Sequence, residues 1–153
     1  MREIIFRGVC TETGEWVYGG FAGFRRLRAA RDMRDTGAWI VGATLLCKPV
    51  FPETVGQFTG HTDRFGERIF EGDILKAQLR ADGKGDETWT SGVILWDDAR
   101  GGWGMLEKGR DPADGLDEFD GWGEWELAGN AWQDRAWYTG VLRPLLVSEV
   151  SGA

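Results

Sequence analysis

The sequence predicts a mostly β fold built from short antiparallel strands, and three observations predict it. Twenty-four glycines without a regular period, against only four prolines, call for many tight turns. Nine Trp, eight Phe and two Tyr suit the half-buried surfaces of pleated strands. The apolar runs are short and are separated by clusters of Gly, Asp, Asn and Thr, which is the spacing of strands and turns.

Taken in order, Ile4–Phe6 reads as the core of a first strand ending at Gly8. The cluster Thr11–Gly14 is a turn, and Glu15–Phe21 reads as the second strand of an antiparallel hairpin. Phe24–Arg34 fits a helical stripe, a hairpin arm or a loop, with Asp35-Thr36-Gly37 able to end it. Ala38–Val41 and Thr44–Cys47 are strand-like, and Pro49 and Pro52 bracket a bend. Glu53–Gly60 predicts a short strand, Asp63–Gly66 a turn, Glu67–Phe70 an extended segment, and Glu71-Gly72-Asp73 another turn. Ile74–Leu79 is the next strand, with Asp82–Asp86 as a loop tip. Trp89–Trp96, carrying Val93-Ile94-Leu95, gives the strongest strand signal. Asp97–Gly102 turns the chain into Trp103–Leu106. The stretch 107–124 is acidic and Gly-rich and reads as a long surface loop, ordered or disordered. Trp125–Trp132 closes the set. Val141–Val147 is an apolar tail able to pack on the core or on a neighbour.

The formal net charge is −7, unevenly spread. Through residue 50, eight Lys and Arg face five acids, giving +3; beyond it, ten bases face twenty acids, giving −10. An acidic total argues against bulk attraction to polyanions. It allows a local basic patch, or head-to-tail packing of a basic part of one copy on an acidic part of another. The plainer reading of the excess charge is solubility. No apolar run reaches the ~20 residues of a membrane span. The charged-flanked start does not read as a signal peptide, so a cytoplasmic protein without membrane contact is expected. Cys10 and Cys47 lack the paired spacing of a zinc site, and two buried thiols are expected in a reducing compartment.

Candidate chemistry is sparse. Glu71 and Asp73, with Asp63, could offer oxygens to a divalent cation. The alternative is that Gly60, Gly66 and Gly72 supply turn conformations while Asp63 and Asp73 bond turn amides, and this structural reading of Gly60, Asp63, Gly66, Glu71, Gly72 and Asp73 is preferred. Gly83-Lys84 lacks the remaining residues of a phosphate loop. Asp97-Asp98 reads as a turn rather than a carboxylate pair, and His61 as an exposed turn histidine. A Cys10 or Cys47 nucleophile would have only His61 as its histidine base. No catalytic residue, metal ligand or cofactor site is therefore assigned. Arg25, Arg26, Arg28, Arg31 and Arg34 could bind phosphates or a partner, although Asp32 and Asp35 interleave with the segment. Trp16, Trp39, Trp89, Trp96 and Trp103 are expected in the core. Trp122, Trp125, Trp132 and Trp137 are the candidate interface aromatics.

Three stretches resemble the YopX protein family of phages and prophages. One is Arg2–Gly8 followed by Gly14–Gly19. The most specific runs from Glu53 to Gly60 and from Asp63 to Leu75, where the family favours Q-Y-T-G-x-x-D-x-x-G-x-x-I-[YF]-E-G-D-I-V and this chain differs conservatively at Phe58, Phe70 and Leu75. The third is Gly129-Asn130. The Arg-rich segment, the acidic loop and the tail depart from the pattern. The resemblance implies a pseudo-barrel of short antiparallel strands with a small appended element, as one domain over 1–153. Within it, 1–50 would hold the first strands and the Arg-rich arm, 53–132 the barrel-like core, and 133–153 the tail. It implies self-association and carries no enzymatic activity or catalytic residues. The expected function is thus a non-enzymatic phage or prophage accessory protein of the bacterial cytoplasm, acting as a homo-oligomer and through a host or phage protein partner. Two alternatives are a nucleic-acid-binding regulator using Arg25–Arg34, and an acidic mimic of nucleic acid using Asp111–Glu124 to occupy a host protein.

Overall fold

The computed structural model describes residues 3–23, 38–42, 46–79, 88–121 and 123–134. The described residues are mostly strand, paired antiparallel in two sheets, as the turn-rich and aromatic-rich composition predicts. No closed barrel forms among the described residues. Each sheet ends in short strands, Cys47–Pro49 in one and Asp117–Glu118 in the other. Closure needs hydrogen-bonded neighbours on both sides of every strand. The chain divides into two compact units, Met1–Gly60 and His61–Ala153.

In the first unit, strands β1 (Phe6–Val9), β2 (Trp16–Gly23), β3 (Ala38–Val41), β4 (Cys47–Pro49) and β5 (Gly56–Thr62) lie in the order β4-β3-β2-β1-β5. The predicted β1–β2 hairpin forms with Phe6 opposite Gly19 and Val9 opposite Trp16. Its strand starts later than expected, because Ile4 stays largely exposed and only from Phe6 does the chain find a partner in β2. Inward residues Ala38, Ile40 and Val50 form the core, with Phe6, Val17 and Val55 packed on it. Pro49 belongs to β4 rather than to a bend, and β4 is an edge strand, where a missing N–H costs least. Glu53 and Thr54 leave the expected strand for a 3₁₀ turn (Pro52–Thr54). There the Thr54 hydroxyl donates to the Phe51 carbonyl at 2.6 Å and accepts from the Val9 N–H at 2.8 Å. Those bonds hold the turn against β1.

Strand β5 carries the chain into the second unit. There β6 (Arg68–Phe70), β7 (Asp73–Leu79), β8 (Thr88–Asp97), β9 (Gly102–Glu107), β10 (Asp117–Glu118) and β11 (Glu126–Asn130) follow, and five of them form the sheet β10-β9-β8-β7-β11. Consecutive apolar pairs, Ile74-Leu75, Val93-Ile94 and Met105-Leu106, mean that both faces of this sheet carry buried side chains at its centre. Leu75, Ile94, Trp103 and Met105 point to one face with Ile69 and Phe119; Ile74, Val93 and Leu106 point to the other with Ala131. The acidic stretch 107–124 is no free loop: it holds a 3₁₀ turn (Pro112–Asp114), strand β10, and Phe119 buried in the core. One aromatic side chain gives the segment the anchor that its composition hides. Trp89 and Trp96 are corrected too, being 50% and 42% exposed on β8, whereas Trp103 is buried and Trp16 and Trp39 are half-buried.

Candidate functional site

The hairpin joining β5 to β6 is built around one carboxylate. Asp63 is buried, and its Oδ1 accepts the N–H groups of Phe65 and Glu67, each at 2.9 Å. Its Oδ2 accepts the N–H of Leu127, on β11, at 3.2 Å. Burial pushes the Asp63 carboxyl upward. The donors from Glu67, Leu127 and Phe65, together with the Arg64 guanidinium, outweigh that and hold it below the ordinary carboxylate range. Beside it, the Arg64 N–H donates to the Trp125 carbonyl at 2.9 Å. Glu126 faces Lys76 in the ladder, so the outward groups of this edge strand are those of Trp125 and Leu127. Asp63 and Arg64 thus satisfy the outer edge of β11 where another strand would otherwise pair.

The following turns use the same device. The Asp73 carboxylate accepts the Phe70 N–H at 2.8 Å, and Gly60, Gly66 and Gly72 all have left-handed φ near +85° to +90°. Glu71 is half-buried. At the end of β11, Asn130 accepts the Gln133 N–H at 3.0 Å and donates to its side chain at 2.8 Å, closing the turn after Gly129. Among the described residues, no group of three His, Cys, Asp or Glu lies together as a metal site would require.

On the outer side of the same hairpin the side chains are exposed. Phe65 is 69% exposed, with the Arg64 guanidinium 5.2 Å from its ring centroid. Arg64 reaches Glu126 at 3.1 Å, Lys76 reaches the other oxygen of Glu126 at 3.7 Å, and the Lys76 ammonium lies 5.1 Å from the exposed Trp89 ring. Phe65, Arg64, Glu126, Lys76 and Trp89 form one continuous strip. Strand register explains part of it: Lys76 faces Glu126 on one side and Ser91 on the other, so Lys76, Glu126 and Trp89 share a face. The two cations lie over aromatic rings and share one carboxylate, which fixes long side chains that would otherwise wander.

Of the other residues singled out by sequence, Trp125 is half-buried and packs edge-on against Phe119 at 6.5 Å, and Trp132 is half-buried. Trp122, Trp137 and the whole cluster Arg25, Arg26, Arg28, Arg31 and Arg34 lie outside the described residues, as do the loop tip at 82–86 and the tail from 135. Asp97 ends β8, accepting the Ala99 N–H at 3.0 Å as a turn residue does. His61 is corrected from an exposed turn residue to a half-buried residue of β5. It meets Phe119 edge-on at 5.6 Å, and Gly121, at φ +80°, lies so close that any side chain there would strike the imidazole. Both cysteines are free thiols, Cys10 fully buried and Cys47, against expectation, exposed at the start of an edge strand. The Phe65–Trp89 strip was not read from the sequence. Its one legible signal is Arg64-Phe65 next to a turn aspartate, which sets the pair outward.

The family model for YopX protein matches residues 5–136, a span that takes in both sheets. The chain belongs to the YopX family. No curated protein matches it. In this YopX chain the motif Gln57–Leu75 is the hairpin and turn pair held by Asp63 and Asp73, and Gly129-Asn130 is the turn after β11. Among the described residues of the YopX chain, no helix is long and apolar enough to cross a membrane.

Proposed function

We propose that this chain is a phage or prophage accessory protein that works by self-association and protein binding, without catalysing a reaction. The observation that carries the reading is the display of large aromatic side chains on hydrogen-bonded strands and turns. Tyr18 and Phe21 are 52% and 44% exposed on β2; Phe65, Trp89 and Trp96 are exposed in the second unit. Strand-borne rings lose little entropy on binding, and Trp, Tyr and Arg supply most of the energy at protein interfaces. Family membership supports the phage setting. The buried carboxylates of the motif are engaged with backbone donors, which favours a scaffolding role for it over a chemical one.

Light scattering across a wide range of concentration and salt tests the self-association. Growth of the mean mass with concentration is the expected result, and a monomer under every condition would sink it. Affinity capture from host lysate, with and without nuclease, tests the partner. A protein retained after nuclease treatment is expected, and recovery of nucleic acid alone would move the reading to a nucleic-acid-binding regulator.

A further inference from the structure

The five-stranded sheet has two unlike edges. From the β11 edge, the strip runs from Phe65 and Arg64 on the β5–β6 hairpin over Glu126 on β11 and Lys76 on β7 to Trp89 on β8, with exposed rings at both ends and two cations between them. At the other end, β10 and the 3₁₀ turn before it display the exposed carboxylates Asp114 and Glu118. Two other acids of this segment are already engaged: Asp111 accepts the Ala113 N–H, and Asp117 pairs with Arg110. We propose that the strip is a docking surface for the acidic β10 segment of a second copy, so that copies associate head to tail through two unlike surfaces of this sheet.

Three observations carry it. The first is charge complementarity: the strip holds two cations against one carboxylate, in a chain whose residues beyond 50 carry ten bases and twenty acids. Lys76 and Arg64 are 43% and 45% exposed, so each keeps donors for an incoming carboxylate while Glu126, at 19%, holds them in place. The second is the pair of exposed rings flanking those cations, the arrangement of an apolar anchor beside a charge clamp. The third is that the outward backbone groups of Trp125 and Leu127 are already bonded to Arg64 and Asp63. Side chains, rather than an added strand, therefore make the contact. Surfaces that differ at the two ends produce a heterologous contact, which builds rings or open chains instead of stopping at a two-fold dimer.

The inference rests on the self-association reading and deepens it, and complementation separates the two. One variant, Phe65→Ser with Lys76→Ser, loses the strip. A second, Asp114→Asn with Glu118→Gln, loses the acidic edge; neither pair of side chains is buried. In sedimentation velocity at low salt the wild type forms a concentration-dependent series that shrinks as salt rises. Each variant alone sediments as a monomer, with association weakened by roughly tenfold or more. An equimolar mixture of the two forms a dimer and nothing larger, since each variant keeps one intact edge; that dimer also certifies that both are folded. Wild-type association unchanged in either variant overturns the docking surface while leaving self-association standing. A wild type monomeric throughout overturns both. Wild-type binding of a fluorescent single-stranded oligonucleotide, abolished by Phe65→Ser with Lys76→Ser, would reassign the strip to nucleic acid.

Discussion

Two stretches of this chain are rich in Asp, Glu and Gly, yet they are ordered by opposite means. In the motif turns from Asp63 to Asp73, carboxylates point inward and collect backbone N–H groups. In the acidic segment after Glu107 the carboxylates mostly point to solvent, and the chain is held by Phe119 in the core and by the short pairing of β10 with β9. An aspartate is structural where donors converge on it and is surface charge where they do not. Both stretches are rich in acids and glycine; the number of N–H groups within reach is what differs.

The two devices differ most at their anchors. Phe119→Ala removes a buried ring from the cluster with Leu75 and Ile94 and is expected to destabilise the protein by about 3–5 kcal/mol in denaturant unfolding. Early proteolysis near Asp111–Glu124 should accompany it. Asp63→Ala leaves the N–H groups of Phe65, Glu67 and Leu127 without their acceptor and is expected to cost about 2–4 kcal/mol, while Asp63→Asn keeps part of the acceptor set and costs less. A larger loss from Asp63→Ala than from Phe119→Ala would reverse the ranking of the two devices.

The pH dependence sharpens the same contrast. Because the folded-state Asp63 carboxyl titrates below its unfolded value, its stabilising contribution is complete above about pH 4 and is lost as pH falls from there through the folded value. Asp63→Asn should therefore flatten the acid limb of the stability curve. Asp114→Asn, at an exposed position, should leave both the limb and the neutral-pH stability within about 0.5 kcal/mol. Arg64→Ala lies between these, since the pair with Glu126 is partly exposed and worth at most about 1 kcal/mol. The smallest perturbation is chemical. In the native state an aqueous thiol reagent should modify Cys47 quickly and reach Cys10 only on unfolding, and equal rates would contradict the burial of Cys10.

Much of the fold is legible in the residues. Ala38–Val41 is a strand as read, and Trp89–Trp96 lies within β8, because short apolar runs bounded by turn residues leave few alternatives. The turn role of Asp63 follows from an aspartate placed two residues before Phe65 and four before Glu67, within reach of their amides. Other features are set by partners distant in sequence. Leu127 is 64 residues from Asp63, and no local pattern announces that its N–H completes the carboxylate's set. Trp89 and Trp96 look like core residues by type, but they sit near the two ends of β8, away from its buried Val93-Ile94 centre, and are exposed. The β class, the turns and the family motif are therefore readable in the residues, since they depend on local propensity and short-range hydrogen bonds. Which edge Asp63 seals, which aromatics reach solvent, and how Arg64, Lys76 and Glu126 meet are not, because each needs strands brought together from far apart along the chain.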